Sequence, residues 1–401
     1  MRRVVITGFG IISSIGNSKK EVCNSLYNGI SGITFSEEMQ QLGMRSRIWG
    51  NIKLKNTNLM TKKMSRFMNN ASKYSFLAMI EAIKDSKICS REYQNNSRVG
   101  IIVGSGCSSI FSLKNNINNI KKNLISPYTA IKTMPSGISA CLSTLFKIHG
   151  INYSISSACA TSAHCIGSAF ELIQFGKQDL IFAGGAEAIS VELASQFDAM
   201  RVLSTRFNNN PIKASRVYDV DRDGFVISGG AGILVIEELN YALSRSAHIY
   251  AEIIGYAATS DGLNMVSPSG CGAVRCMNIA RRNKSLSIDY LNVHGTSTKT
   301  GDLTELKAIK KVFLKEKKPM ISATKSMTGH SLGASGVHEI IYTLLMLQHN
   351  FIAPSINIEN LEPYAKNMNI IQKTINIKFN TAMSNSFGFG GTNACLIIKK
   401  Y

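Results

Sequence analysis

The chain has 401 residues, 44% of them hydrophobic and 17% charged, which excludes intrinsic disorder and low-complexity classes and leaves room for two or three units with a core that needs no disulfide or structural metal. Lys and Arg number 45 against 25 Asp and Glu, a formal net charge of +20; a surplus of that size draws acidic partners, but it is spread along the chain and never forms a basic tail. The nine Cys form no CxxC pair, so zinc ribbons and thioredoxin-type sites have no support, and without a secretory signal the thiols are expected to be reduced.

Short apolar strands alternate with helix-period stretches, the pattern of an α/β fold. A first strand is predicted over 4–7, closed by Gly8-Phe9-Gly10, and it is too short for a signal segment. A helix follows over 72–83, then a strand over 99–103 ending in Gly104-Ser105-Gly106. The next expected elements are a strand over 153–156, a helix over 159–175 with Gly176 at its C-terminal cap position, and a strand over 180–183 closed by Gly184-Gly185. The second half repeats the style, with strands over 232–236, 251–256 and 290–293, the last ending at His294-Gly295. A helix over 302–313 carries an acidic first turn, and a strand over 320–323 leads to Gly329-His330-Ser331-Leu332-Gly333 and an apolar helix. Residues 393–398 close the chain. A soft boundary falls at 245–250, dividing the chain into 1–248 and 249–401. The apolar run 340–347, broken by Thr343, is far too short to span a membrane, so a soluble cytoplasmic protein is expected.

Two patterns are set aside. Asp219-Val220-Asp221-Arg222-Asp223-Gly224 begins like a calcium loop, but its last ligand position is Gly230 and Arg222 stands between the carboxylates. Gly329-His330-Ser331-Leu332-Gly333 matches a nucleophile elbow, yet only His338 and His349 follow it, both within the next helical stretch.

The strongest chemical signal is Ser156-Ser157-Ala158-Cys159-Ala160-Thr161-Ser162. A strand ends, small residues turn tightly, and Cys159 opens a helix whose N–H groups and dipole favour thiolate over thiol. The alternative is a buried cysteine in a Ser/Ala-rich helix start, and the local sequence leaves both open. His294 at a strand end and His330 at a Gly-flanked turn, with Lys325 five residues before it, are the acid–base candidates, because such positions face clefts. The Gly-rich stretch from Asn385 to Asn393 reads either as a tight turn between closing strands or as a movable source of oxyanion-binding N–H groups.

These motifs, in this order, resemble the β-ketoacyl-acyl-carrier-protein synthases of dissociated bacterial fatty-acid synthesis, nearest the type I group, over residues 4–398 and most specifically over 152–167 and 383–394. The resemblance implies a thiolase-like layered αβαβα fold made of two similar halves, usually a homodimer. It implies Cys159 as nucleophile, His294 and His330 as the catalytic histidines, and Lys325 beside them. It implies an oxyanion hole from the N–H groups of Cys159 and Phe389, a mobile loop of Gly388, Phe389, Gly390 and Gly391, and Thr296 and Thr298 on the phosphopantetheine arm. Neutral His294 and His330 are expected to donate through Nε2.

The implied reaction is decarboxylative condensation of a Cys-bound acyl chain with malonyl carrier, serving saturated and unsaturated chains. It uses no metal and no cofactor beyond the carrier's phosphopantetheine. The positive charge then reads as a docking rim for a small acidic acyl carrier protein, with Lys62, Lys63, Arg66, Lys121 and Lys122 as its patch and no nucleic-acid or membrane partner. Where the type I pattern continues with glycine, Cys107 and Ser108 stand here, a change expected to alter preferred chain length if they line the acyl tunnel. Alternatives are a polyketide or aryl-polyene ketosynthase and a non-catalytic carrier-binding subunit; the presence of Cys159 and both histidines argues against the last.

Overall fold

A computed structural model describes residues 1–55, 57–107, 125–282 and 285–401. Ser108, Lys121 and Lys122 lie outside the described residues. Among the described residues the main sheet has eleven strands. In spatial order they are Asn369–Ile370, Met320–Ser322, Tyr290–Asn292, Thr381–Gly388, Thr392–Lys400, Ala251–Ser260, Val4–Ile12, Gly230–Glu238, Leu180–Glu187, Val99–Gly104 and Asn152–Tyr153.

That order contains a duplication. From Val4–Ile12 outward, the five strands of the first half lie in the order first, fifth, fourth, second, third. From Ala251–Ser260 outward, the second half repeats the same order, with Asn369–Ile370 added at its edge. Among the described residues the strands Val4–Ile12 and Ala251–Ser260 pair across the junction at Val5 with Glu252 and Ile6 with Ala251, and then part. Past that junction the strand N–H groups of Phe9 and Ile11 are taken by the carboxylates of Asp85 (3.1 Å) and Glu81 (3.2 Å).

The period-2 alternation of strand side chains sorts the core into layers. Ile102, Ile181, Ala183, Leu234 and Ile236 face a central cluster, while their neighbours Ile101, Leu180, Phe182, Ile233 and Val235 face an outer one. The second half does likewise, with Tyr290, Ala382 and Leu396 turned inward and Leu291, Met383 and Ile397 outward. The central cluster is filled by the helices Thr161–Gln174 and Ser335–His349. The outer clusters are covered by Asn70–Ser86 and Gly137–Phe146 on one side and by Cys271–Ala280 and Lys299–Val312 on the other. The result is helix, sheet, helix, sheet, helix. Residues 335–347 are buried all round, which explains their apolar run. Among the described residues no helix is long and apolar enough to cross a membrane.

Several predicted bounds shift for stated reasons. The first strand runs on to Ile12, because Gly8 and Gly10 serve close packing rather than a turn: a Cβ on Gly10 would lie 1.9 Å from the carbonyl of Ala78. The predicted helix over 302–313 begins at Lys299. Cys159 lies in a 3-10 turn, Ala158–Ala160, and the α-helix proper starts at Thr161. Asn385, Ser386 and Phe387 belong to the strand Thr381–Gly388, so the connection to Thr392–Lys400 is only Phe389, Gly390 and Gly391.

Candidate active site

The two central helices aim their N-terminal turns at one cavity of about 510 Å³. Cys159, His294, His330, Thr296, Thr298, Gly388, Phe389 and Gly391 all line it. Cys159 is brought in by the turn after Asn152–Tyr153, whose residue Ala158 takes φ +49°. His330 follows the short helix Lys325–Thr328, and its Nε2 lies 3.0 Å from the Cys159 sulfur. His294 ends the strand region Tyr290–Asn292, with its ring edge-on to His330 at 5.3 Å between centroids. The strand Thr381–Gly388 must pass close to the nucleophile turn: a Cβ on Gly388 would lie 3.1 Å from the Cys159 nitrogen. The backbone N–H groups of Phe389 and of Cys159 itself face the sulfur.

The His294 loop is pinned by the helix that follows it. Glu305 accepts from the N–H groups of His294 (2.9 Å) and Gly295 (2.8 Å), and Asp302 from those of Thr296 (3.0 Å) and Ser297 (3.1 Å). The acidic first turn read from the sequence thus holds a neighbouring loop, and burial pushes Asp302 up to about 7 against the pull of Arg222. Glu305 and Asp302 are functional supports that sequence reading missed. Their signal was an i, i+3 carboxylate pair just downstream of a histidine at a strand end.

Burial pushes the Cys159 thiol up to about 12, although Lys325 and the facing N–H groups pull the other way. The helix-start turn that favours thiolate is local to the sequence, whereas the desolvation that opposes it comes from the whole fold. Burial, then the charge of Lys325, holds His330 well below its usual range; the same two effects and His330 do so for His294, so both imidazoles are neutral. Lys325 does not line the cavity. Its ammonium is buried and ion-paired with Glu339, which burial pushes up to about 7. The cysteine and the two histidines have ligand atoms within 4.8 Å of one another. The nearby Lys325 charge, which disfavours protonated imidazole, disfavours a metal cation for the same reason.

Phe389 tilts over Phe197 at 6.4 Å, Phe225 meets the His330 ring at 5.4 Å, and both Phe197 and Phe225 line the cavity with Leu332. Cys107 packs into the same apolar group. The hairpin tip is tied to a neighbouring loop: Asp261 donates its N–H to the Gly391 carbonyl, and Gly390 donates to that of Met265, each at 2.8 Å. Lys62, Lys63 and Arg66 are exposed on and beside the short helix Lys62–Ser65 and do not line the cavity. Arg201, Arg206 and Lys299 do line it; scattered in sequence, they left no signal. Ser331 is buried, its hydroxyl 3.1 Å from His338 Nδ1, so it is no exposed elbow nucleophile.

A duplicated thiolase-like fold closing on a Cys-His-His pocket defines the class of condensing acyltransferases. The chain belongs to the β-ketoacyl synthase family: residues 1–242 match its N-terminal domain and residues 250–359 its C-terminal domain. It is 76% identical to 3-oxoacyl-[acyl-carrier-protein] synthase 1 of Buchnera aphidicola subsp. Acyrthosiphon pisum, covering 100% of both chains. A solved β-ketoacyl synthase from Burkholderia phymatum superposes with a TM-score of 0.93 at 31% identity, again over 100% of both chains. A type II polyketide ketosynthase in complex with its acyl-carrier protein, bound to the hexaketide, superposes at TM-score 0.91 and 26% identity, over 100% of this chain and 99% of that one.

Proposed function

We infer that the protein is an elongating β-ketoacyl-acyl-carrier-protein synthase, joining a Cys-bound acyl chain to the two-carbon unit of malonyl carrier with loss of carbon dioxide. The observation that carries this is the Cys159 sulfur held 3.0 Å from a neutral imidazole, with two backbone N–H groups facing it. Identity of 76% to a 3-oxoacyl-[acyl-carrier-protein] synthase 1 favours fatty-acid over polyketide chains. We assign saturated and unsaturated chains alike.

In this reading Cys159 attacks the acyl thioester as His330 Nε2 takes the thiol proton, and that proton leaves with the departing carrier thiol. The N–H groups of Cys159 and Phe389 stabilise the tetrahedral oxyanion, each donor being worth about 3 kcal/mol or more. Malonyl carrier then loses carbon dioxide, and the enolate left behind is stabilised by hydrogen bonds from the imidazoles, with the Lys325 charge behind them. Its carbon attacks the acyl thioester, releases the Cys159 sulfur and yields β-ketoacyl carrier. All the electron pairs stay on carbon, oxygen and sulfur, so the reaction draws on no cofactor beyond the carrier's phosphopantetheine. Thr296 and Thr298, with hydroxyls 3.1 Å apart on the cavity wall, are read as contacts to that arm.

The partner is an acyl carrier protein. Arg201, Arg206 and Lys299 at the cavity support docking of an acidic, phosphate-bearing carrier there, with Lys62, Lys63 and Arg66 as an outer contact. We also propose a homodimer. The first half-sheet ends on the exposed strand Asn152–Tyr153, whose open edge suits an identical strand of a second copy across a two-fold axis. The cytoplasm, with its reduced thiols, is the expected compartment.

Intact-mass measurement after incubation with acyl-carrier thioester tests the central claim. One acyl adduct on wild type, none on Cys159→Ala, and discharge by malonyl carrier are expected. An adduct on the variant, or none on either protein, overturns it.

A further inference from the structure

The acidic run set aside as a calcium loop, Asp219 to Gly224, ends at the cavity, where Asp223 and Gly224 line the wall. Its carboxylates are taken up by the protein's own donors. Asp219 accepts from Arg216 Nε (3.0 Å) and from the N–H groups of Asp221 (2.8 Å), Glu359 (2.7 Å) and Asn360 (2.8 Å). Asp223 accepts from the Ser204 hydroxyl (2.6 Å) and from the N–H groups of Thr205 and Arg206 (2.9 Å each).

Arg222, beside Asp223, reaches a different segment. It is 2% exposed, and its guanidinium donates to the carbonyls of Thr298 (3.3 Å) and Lys299 (3.2 Å) and pairs with the carboxylates of Asp302 (3.3 Å) and Glu362 (2.9 Å). Gly224 fills the narrow space between: its N–H donates to the Ser297 carbonyl (3.1 Å), and at its φ of +146° a Cβ would lie 2.5 Å from the Val202 carbonyl oxygen. Residues 222–224 therefore wedge between 202–206 and 296–299, two segments that line the cavity. Each segment carries an exposed cation there, Arg206 on one and Lys299 on the other. Arg206 Nη2 donates to the Asp221 carbonyl, and Nε lies 3.8 Å from the Asp223 carboxylate. The segment that fixes the Arg206 backbone thus also sets the direction of its fork.

We propose that Arg222 and Asp223 are positioning residues that hold Lys299 and Arg206 at the spacing that grips one phosphodiester, the link between the carrier and its arm. A planar guanidinium matches two phosphate oxygens, and an ammonium adds a point charge. Long cationic side chains lose rotamer freedom when they bind, and fixing the backbone beneath them lowers that cost. The proposal rests on the condensing-enzyme reading and deepens it, with Thr296 and Thr298 taking the arm and the wedged segment setting where the phosphate above it is held.

The test uses Cys159 as a reporter and needs no turnover. Its alkylation by iodoacetamide is followed by peptide mass in the presence of the S-methyl ether of phosphopantetheine or of pantetheine, neither of which can transfer an acyl group. In wild type the phosphorylated ether should protect Cys159 at a concentration about tenfold lower, the order of one charge-assisted contact. Asp223→Asn, which sets an amide against two N–H groups, should remove most of that preference and leave protection by the unphosphorylated ether as in wild type. Arg222→Lys, which keeps the buried charge but loses the fork, should reduce the preference through Lys299, and it stands as the test if Asp223→Asn does not fold. Arg206→Ala should remove most of the preference, and adding Asp223→Asn to it should take away nothing further. No preference in wild type, a preference unaltered in both Asp223→Asn and Arg222→Lys, or losses that add in the double variant overturns the proposal. Because no acyl group moves, failure here is separate from a failure of wild type to accept one, which would overturn the function instead.

Discussion

Ala158 and Leu332 both adopt φ +49°, each opening a 3-10 turn that feeds one of the two central helices. Each turn is preceded by a serine whose hydroxyl meets the Nδ1 of a histidine seven positions on, Ser157 with His164 and Ser331 with His338. What fills the two turns differs. In the first the next residue is Cys159, and its N–H and sulfur face the cavity. In the second it is Gly333, and its N–H donates to the Glu187 carboxylate at 3.0 Å. Glu187 also accepts from the Gly106 N–H (2.9 Å) and the Ser105 hydroxyl (2.7 Å). The same backbone makes an anion-binding turn twice. One copy is left open for a transient oxyanion; the other is occupied by the protein's own carboxylate, which also ties the Cys107 segment to the turn beside His330.

The largest effect should come from the open turn. Cys159→Ala is expected to lower condensation by at least about 10³-fold, as loss of a covalent nucleophile does, with Tm nearly unchanged; steady-state rate and thermal melting check both halves of that statement.

The closed turn should respond in stability. A Cβ on Gly333 would lie 2.2 Å from the Gly106 nitrogen, so Gly333→Ala forces backbone apart and should cost about 3 kcal/mol, in the range of severe overpacking. A wild-type midpoint in urea denaturation would mean that the second turn is not rigid.

Glu187 should make that stability depend on pH. Burial pushes its carboxyl up to about 7, against hydrogen bonds from Ser105 and three N–H groups. Between about 4.5 and 7 the folded state therefore binds more protons than the unfolded state, and this group's contribution falls as pH rises through that window. Wild type should exceed Glu187→Gln in stability by more at pH 5 than at pH 7.5, the difference amounting to at most about 3 kcal/mol. A constant difference across that range contradicts the assignment.

The mildest test lies away from both turns. Lys63→Glu with Arg66→Glu should raise KM for carrier-bound substrate a few-fold and flatten its salt dependence, leaving kcat alone. Unchanged kinetics at low salt would remove these residues from the docking surface.

Much of the site was legible because its signals are local. Small residues around Cys159, glycine after His294 and glycines flanking His330 mark turns whatever surrounds them. The first strand was read too short because Gly8 and Gly10 look like a turn, and only the helix Asn70–Ser86 pressed against them explains their presence. Arg201, Arg206 and Lys299 converge from separate segments, and Glu187 reaches its turn from a distant strand; neither has a spacing to read. The repeated serine and histidine around the two turns was present in the sequence, but it acquires meaning only once both helices are seen side by side.

By itself, the sequence determined the alternation of strands and helices, the turn that presents Cys159, and the two histidines that accompany it, because these depend on side-chain period and on local backbone freedom. Only the tertiary structure decided how burial and buried charge weigh on these groups. Desolvation and the buried charge of Lys325 hold the imidazoles well below their usual range, and desolvation outweighs that same charge in pushing the Cys159 thiol up. Both effects arise from atoms that the chain brings together only on folding.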